Sequence, residues 1–187
     1  MKQKTVAVIV GSLRKDSWNR KMAKALMALA PESLTPEIVE IGGLPLYSED
    51  LETGLPPLAW QEFRQMIAAS DGVLFVTPEY NRSVPAALKN AIDVGSRPYG
   101  KSVWNGKPGA VMSVSPGAIG GFGANHHLRQ SLVFLNVPAM QQPDVYIGNV
   151  ASLFDESGNV TSDPFREFAL KFMKAFADWV ETSTCCK

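Results

Sequence analysis

Short unbroken apolar runs alternate along the chain with stretches whose apolar residues recur at helical spacing. Val6 to Val10 reads VAVIV and stops at Gly11-Ser12, after which Met22, Leu26 and Leu29 repeat on one side of a helix that Pro31 ends. Residues 37 to 41, EIVEI, alternate as a half-buried strand does. A long turn-rich connection, GGLPLYSEDLETGLPP, then leads to a second amphipathic stretch through Trp60, Phe63, Met66 and Ile67. Gly72 to Thr77 (GVLFVT) and Gly109 to Val114 (GAVMSV) are continuous apolar runs, as expected of strands covered on both faces of a parallel sheet. Between them a helix is predicted from about Val84, with Pro85 in its first turn and Ala86, Ala87, Ala91 and Gly95 making one side small enough for close packing. A helix through Leu128, Leu132 and Leu135 follows. The fifth strand falls either near Val137 to Met140 or near Val145 to Ile147, and the last helix repeats Phe165, Phe168, Phe172, Phe176 and Trp179.

Five strands alternating with helices predict a doubly wound α/β sheet, because parallel neighbours need right-handed crossovers that place helices on both faces. The order 2-1-3-4-5 puts the switch point beside the first strand. It gathers three polar loops, 11–19, 77–83 and 115–121, at one edge of the sheet. No repeat, low-complexity segment or linker interrupts the pattern, so residues 1–187 are expected to form one domain.

Composition narrows the partners. The chain is 45% hydrophobic and 19% charged, and its 18 acidic residues balance its 18 basic ones, which gives no support to nucleic acid or an anionic membrane as the main partner. The five apolar residues before Gly11 are too few for a signal segment, and no apolar run reaches the length that spans a bilayer, so a cytoplasmic protein is expected. Cys185 and Cys186 are adjacent at the end of the chain and read as tail residues.

The first loop carries the clearest chemistry. It lies between a strand and a helix N-terminus, where unpaired N–H groups and a positive dipole end face an anion, and it adds the hydroxyls of Ser12 and Ser17, the amide of Asn19 and the guanidinium of Arg14. Gly11 lacks the partner residues of a Walker A loop or a dinucleotide fingerprint, so the loop suits one terminal phosphate held by side chains as well as amides. An ordinary turn with a serine cap and a solvated arginine would use the same residues. In the second loop Pro78-Glu79-Tyr80-Asn81 offers a carboxylate, an aromatic body and an amide where a buried strand surfaces; a planar heterocycle with an N–H and C=O edge would be satisfied there, and so would a plain tight turn. In the third, Gly117, Gly120 and Gly121 allow a second backbone to approach closely.

Three further groups invite a reading. His126 and His127 lack other ligand types at metal spacing and are expected to be satisfied or exposed helix residues. Asp93 is expected to organise structure, and Lys89 reads equally as a helix-face lysine or a site cation. Arg82, Arg97, Lys101 and Lys107, with no acid between 94 and 143, read either as a positive rim that draws in nicotinamide phosphates and anionic acceptors or, equally, as solvated lysines and arginines on a loop.

GSLRKDSWN, PEYNRSVPAALKNAID and SPGAIGG, in that order over about residues 5 to 140, resemble the NAD(P)H-dependent FMN reductase family, and most closely its bacterial quinone and chromate reductase members. The resemblance implies a flavodoxin-like three-layer sandwich that holds FMN noncovalently. By matching position, Ser12, Arg14, Ser17 and Asn19 would hold the phosphate, Pro78, Glu79, Tyr80 and Asn81 would line the isoalloxazine, and Ser115 with Gly117 would close its other side. Hydride would pass from NADH or NADPH to the flavin and then to a second substrate in the same place, a quinone or a metal oxyanion such as chromate, with no catalytic side chain and no metal. Members are similar in forming homodimers or homotetramers. Two positions depart from the pattern: Arg82 stands where several relatives carry glycine or an aromatic residue, and Val94 stands where tryptophan is common. The competing reading is a noncatalytic FMN protein, an electron carrier or flavin sensor; carriers are usually strongly acidic, whereas this chain is neutral and offers Arg14.

Overall fold

Every side chain from Val6 to Val10 is buried, because the strand they form lies inside the sheet with a neighbour on each side. The computed structural model describes residues 3–185, the side chain of Cys185 excepted, so the Cys185-Cys186 pair falls outside the described residues apart from the helical backbone of Cys185. Strands β1 (Lys4–Val10), β2 (Leu34–Ile38), β3 (Gly72–Thr77), β4 (Gly109–Val114) and β5 (Val145–Ile147) form one parallel sheet in the order β2-β1-β3-β4-β5. All six residues of β3 and all six of β4 are buried, as continuous apolar runs in the middle of a parallel sheet require.

The helices are α1 (Trp18–Ala28), the short α2 (Glu49–Glu52), α3 (Leu58–Ala69), α4 (Ala86–Gly95), α5 (Phe122–Phe134) and α6 (Asp163–Cys185). Alternation along β1 divides the core. Val6, Val8 and Val10 pack with Met22 and Leu26 of α1 and with Phe172 and Phe176 of α6, while Ala7 and Ile9 pack with Trp60 and Phe63 of α3, Leu88 of α4 and Leu128 of α5. Sheet and two helical layers make the three-layer sandwich of the flavodoxin-like class. Gly95 closes α4 against Trp104: a Cβ there would lie 2.5 Å from the indole nitrogen, which donates to the Ile92 carbonyl at 2.9 Å.

Two boundaries correct the sequence reading. The second strand is Leu34–Ile38 rather than 37–41; Val39 and Ile41 are buried because the following loop packs them against Trp60 and Phe63, and loop packing has imitated the period of a strand. Pro36 is tolerated inside β2 because that strand forms the sheet's edge. The fifth strand takes the second of its two positions, Val145–Ile147, and the first leaves one isolated parallel bridge between Gly109 and Ala139. The long connection after β2 also contains α2, tied down where Glu52 accepts from Arg64 at 2.9 and 2.7 Å and Arg64 Nε donates to the Val94 carbonyl at 2.9 Å.

Candidate functional site

Parallel strands deliver all their following loops to one edge, and the contacts show how closely three of them meet. A Cβ on Gly11 would lie 2.9 Å from Thr77 Oγ1 and 3.2 Å from Pro78 Cδ, so glycine is what lets the first loop lie against the second. The Gly11 amide donates to the Val76 carbonyl at 2.9 Å. Asn19 Nδ2 reaches the Val114 carbonyl at 3.5 Å, joining the start of α1 to the end of β4, and Ser113 Cβ would lie 3.1 Å from a Cβ on Gly121.

Within the first loop Ser17 caps α1, its Oγ accepting from the Arg20 amide at 3.3 Å. That satisfies one of the helix's orphan amides and leaves the first turn open to an anion. Ser12 Oγ accepts from the Arg14 amide at 3.4 Å, and the Arg14 side chain is exposed. Asn19 is only 4% exposed, yet its Oδ1 has no hydrogen-bond partner among the described residues. A buried polar atom left unpaired costs about 1–3 kcal/mol, so this oxygen is an acceptor open to a donor from outside the protein atoms described.

The second loop is a two-residue turn. Tyr80 and Ser83 exchange backbone hydrogen bonds at 3.0 Å, with Asn81 at φ 48° and Arg82 at φ 63°. Both central residues of such a turn need positive φ, a conformation that glycine adopts without strain and arginine does not. Tyr80 is 70% exposed and its ring stands at the rim. Glu79 points elsewhere: its Oε2 accepts from the Ala124 amide at 3.2 Å and its Oε1 from Arg82 at 3.3 Å. Since Gly121, the N-cap of α5, offers no side chain, Glu79 does the capping from another loop. The fit is close, for a Cβ on Gly123 would lie 2.9 Å from Glu79 Oε2 and 2.8 Å from the Arg82 carbonyl. Sequence spacing held no signal for this, because the partners are 45 residues apart.

In the third loop Ser115 Oγ accepts from the Gly117 amide at 3.1 Å, and the Ser115 amide donates to Ile147 at 2.8 Å. Beside it, Phe122, His126 and Tyr146 cluster, with ring centroids of the first two 4.1 Å apart. Tyr146 OH donates to Asp144 and lies 3.0 Å from His126 Nε2. Burial, then the Asp144 carboxylate, push the Tyr146 phenol up to about 12. His127 Nδ1 lies 2.9 Å from Ser83 Oγ, so both histidines have protein partners. Lys89 pairs with Asp93 at 2.7 Å on the face of α4, which places both in structure.

The positive rim is corrected. Helix α4 carries the chain back to the opposite edge of the sheet, so the 96–108 connection lies there: Val103 bonds Gly95, Gly106 bonds Asn136, and Lys107, buried, donates to the Ser70 carbonyl. Arg97 and Lys101 go with it. Of the four cations only Arg82 stands by the three loops, 78% exposed and paired with Glu79. A residue that spacing did not reveal is Asn90, which holds the long connection by accepting from the Tyr47 amide at 2.8 Å and donating to Pro45 at 3.0 Å.

Comparison with known proteins places this geometry. Residues 4–152 match the family described as NADPH-dependent FMN reductase. The chain is 66% identical over 177 residues to a quinone reductase of Pseudomonas putida, covering 95% of each. It is 50% identical over 175 residues to a 2-hydroxy-1,4-benzoquinone reductase of a Burkholderia species, covering 94% of this chain and 95% of that one. Among solved structures, a flavoenzyme NAD(P)H:(acceptor) oxidoreductase from Paracoccus denitrificans superposes with a TM-score of 0.90 at 44% identity, covering 96% of this chain and 98% of that one.

Proposed function

The chain belongs to the NADPH-dependent FMN reductase family, and from that premise we propose that it reduces quinones with NADH or NADPH through FMN held by its three carboxyl-edge loops. It is an oxidoreductase that uses FMN and NAD(P)H. The observation that carries the site assignment is the buried, unpartnered Oδ1 of Asn19 at the mouth of α1, an acceptor matched to a sugar-alcohol hydroxyl in a loop whose other groups donate. The residues present therefore fit a ribityl phosphate.

When bound, FMN would supply the redox chemistry, accepting a hydride from the nicotinamide and passing two electrons to the acceptor in a separate, alternating half-reaction at the same place. Around it, the exposed Arg14 guanidinium neutralises phosphate charge. Ser12 and Ser17 use their oxygens as acceptors within the loop, and their hydroxyl protons remain free to donate outward. Pro78 has no N–H and Tyr80's backbone is committed to its turn, so the Asn81 amide is among the groups that would meet the ring's polar edge, with the Tyr80 side chain beside it. Ser115 and Gly117 bound the other side. Glu79 serves by fixing the turn to α5. We extend the acceptors to metal oxyanions such as chromate, supported by Arg82 alone among the cations of the supposed rim. Leu46 and Leu55 on the long connection and Leu58 at the start of α3, all exposed, support a homodimer or homotetramer. The described residues include no helix long and apolar enough to cross a membrane, and we place this single domain in the cytoplasm.

The test is spectral. Purified protein should be yellow, bleach on anaerobic addition of NADPH or NADH, and regain its colour with a quinone. A colourless preparation that refuses added FMN would overturn the reading, as would a yellow one inert to both nucleotides.

A further inference from the structure

The groove between α1 and the 155–166 segment has no part in the reading so far. It holds about 500 Å³ and begins at Lys15, Asp16 and Ser17, so it opens from the phosphate-side loop itself. From there it runs along α1 past Lys21 and Lys24, with Val160 and Arg166 opposite. The distance is that of seven helical residues from Ser17 to Lys24, about 10 Å, the span of one nucleotide unit.

Its charges are unbalanced. Arg20 is neutralised by Glu40 through hydrogen bonds of 2.7 and 2.6 Å, which hold the Glu40 carboxyl below the usual carboxylate range. Lys15, Lys21, Lys24 and Arg166 have no ion-pair partner among the described residues, and Lys21 lies 4.5 Å over the Trp18 ring. Asp16 is the one carboxylate on the wall. Asp155, nearby, is turned into its own loop by the amide and side chain of Asn159 at 2.8 and 3.0 Å. Four cations against one acid, on a chain of zero net charge, make this groove suited to an anion of more than one charge. Ala25, Ala28, Leu29 and Val160 give the groove an apolar floor beside those cations, which suits a nucleoside phosphate better than a bare anion.

We propose that this groove takes the adenosine end of NADPH, with the 2′-phosphate as the dianion that Lys24 and Arg166 recognise. The inference rests on the reading of the chain as an NAD(P)H oxidoreductase. A dinucleotide carries nicotinamide and adenosine phosphate at opposite ends, so one end engages the three loops while the other lies along α1. NADH lacks that phosphate, so it forgoes the contact with Lys24 and Arg166 and keeps only its pyrophosphate charge for the remaining cations.

The experiment measures calorimetric binding of 2′,5′-ADP, of 5′-ADP and of inorganic phosphate to the FMN-loaded protein, unaltered and as the Lys24→Glu/Arg166→Glu variant, with FMN content and circular dichroism confirming the variant's fold. The 2′-phosphorylated nucleotide should bind more tightly than 5′-ADP and lose about tenfold or more in the variant, and KM for NADPH should rise by a similar factor while KM for NADH moves far less. Equal binding of 2′,5′-ADP to both proteins would overturn the proposal. So would NADPH and NADH KM values that move together, or phosphate that competes as well as the nucleotide. If 2′,5′-ADP binding follows the prediction in a protein that NADPH does not reduce, the groove stands and the proposed function falls. Should the variant misfold, Lys24→Gln alone supplies the same comparison with a smaller expected loss.

Discussion

Replacing Glu79 by alanine removes two contacts at once: the acceptor for the Ala124 amide at the start of α5, and the partner of Arg82 across the turn. The Glu79 side chain is 14% exposed, so its bond to Ala124 is worth more than a surface contact, whereas the Arg82 end is 78% exposed and contributes little. A hydrogen bond to a charged group is worth about 1.5–3 kcal/mol and a lost N-cap about 1 kcal/mol; because these describe the same Ala124 interaction, the expected loss is about 2 kcal/mol. For a chain of this length that lowers Tm by about 4–8 °C. Glu79→Gln keeps an oxygen for the Ala124 amide and should lose about half as much. The assay is denaturant unfolding of the FMN-free proteins, since a capping role acts without cofactor and a purely ring-contacting role does not. Alanine and wild-type proteins of equal stability, or glutamine as damaging as alanine, would refute the capping argument.

Other expectations follow from the same geometry. Arg14→Ala should weaken FMN binding about 10- to 100-fold, read by fluorescence titration, while leaving apoprotein stability unchanged, because its guanidinium is exposed and its loss is that of a charged hydrogen bond to phosphate. Arg82→Gly relieves a positive φ of 63° at the expense of a rim ion pair, so it should leave stability unchanged or raise it by up to about 1 kcal/mol, measured by denaturant midpoint. Tyr146 keeps its proton to about pH 12 in the folded chain, so the stability it contributes is present below pH 10 and lost as pH rises toward 12. Alkaline titration of tyrosinate absorbance should show a late phase near pH 12 that Tyr146→Phe removes. Reversing Arg97 and Lys101 to Glu should leave reduction by NAD(P)H and its salt dependence unaltered, because both residues lie at the sheet edge away from the loops.

What could be read from the sequence was whatever depends on local pattern. Uniform apolar runs such as GVLFVT announce interior strands, and a parallel sheet then dictates that the loops after them share an edge, which is why Arg14, Tyr80 and Gly117 could be grouped in advance. Edge elements were harder. Strand β2 is covered on fewer sides and contains Pro36, so Val39 and Ile41, buried by a loop, gave the stronger alternation. Side-chain direction was not legible at all: Glu79 sits among ring-lining residues in sequence and turns toward a helix 45 residues on. The cationic stretch after α4 misled for the reason that a helix returns the chain to the opposite edge, a reversal that charge counting along a sequence does not register.

The central claim is that three separated loops hold one flavin. A crystal structure of the FMN-loaded protein tests it most directly. The account predicts the phosphate against Ser12, Arg14, Ser17 and the first turn of α1, with the ring between Pro78–Asn81 and Ser115–Gly117. Flavin bound anywhere else, or touching only one of the three loops, would contradict it.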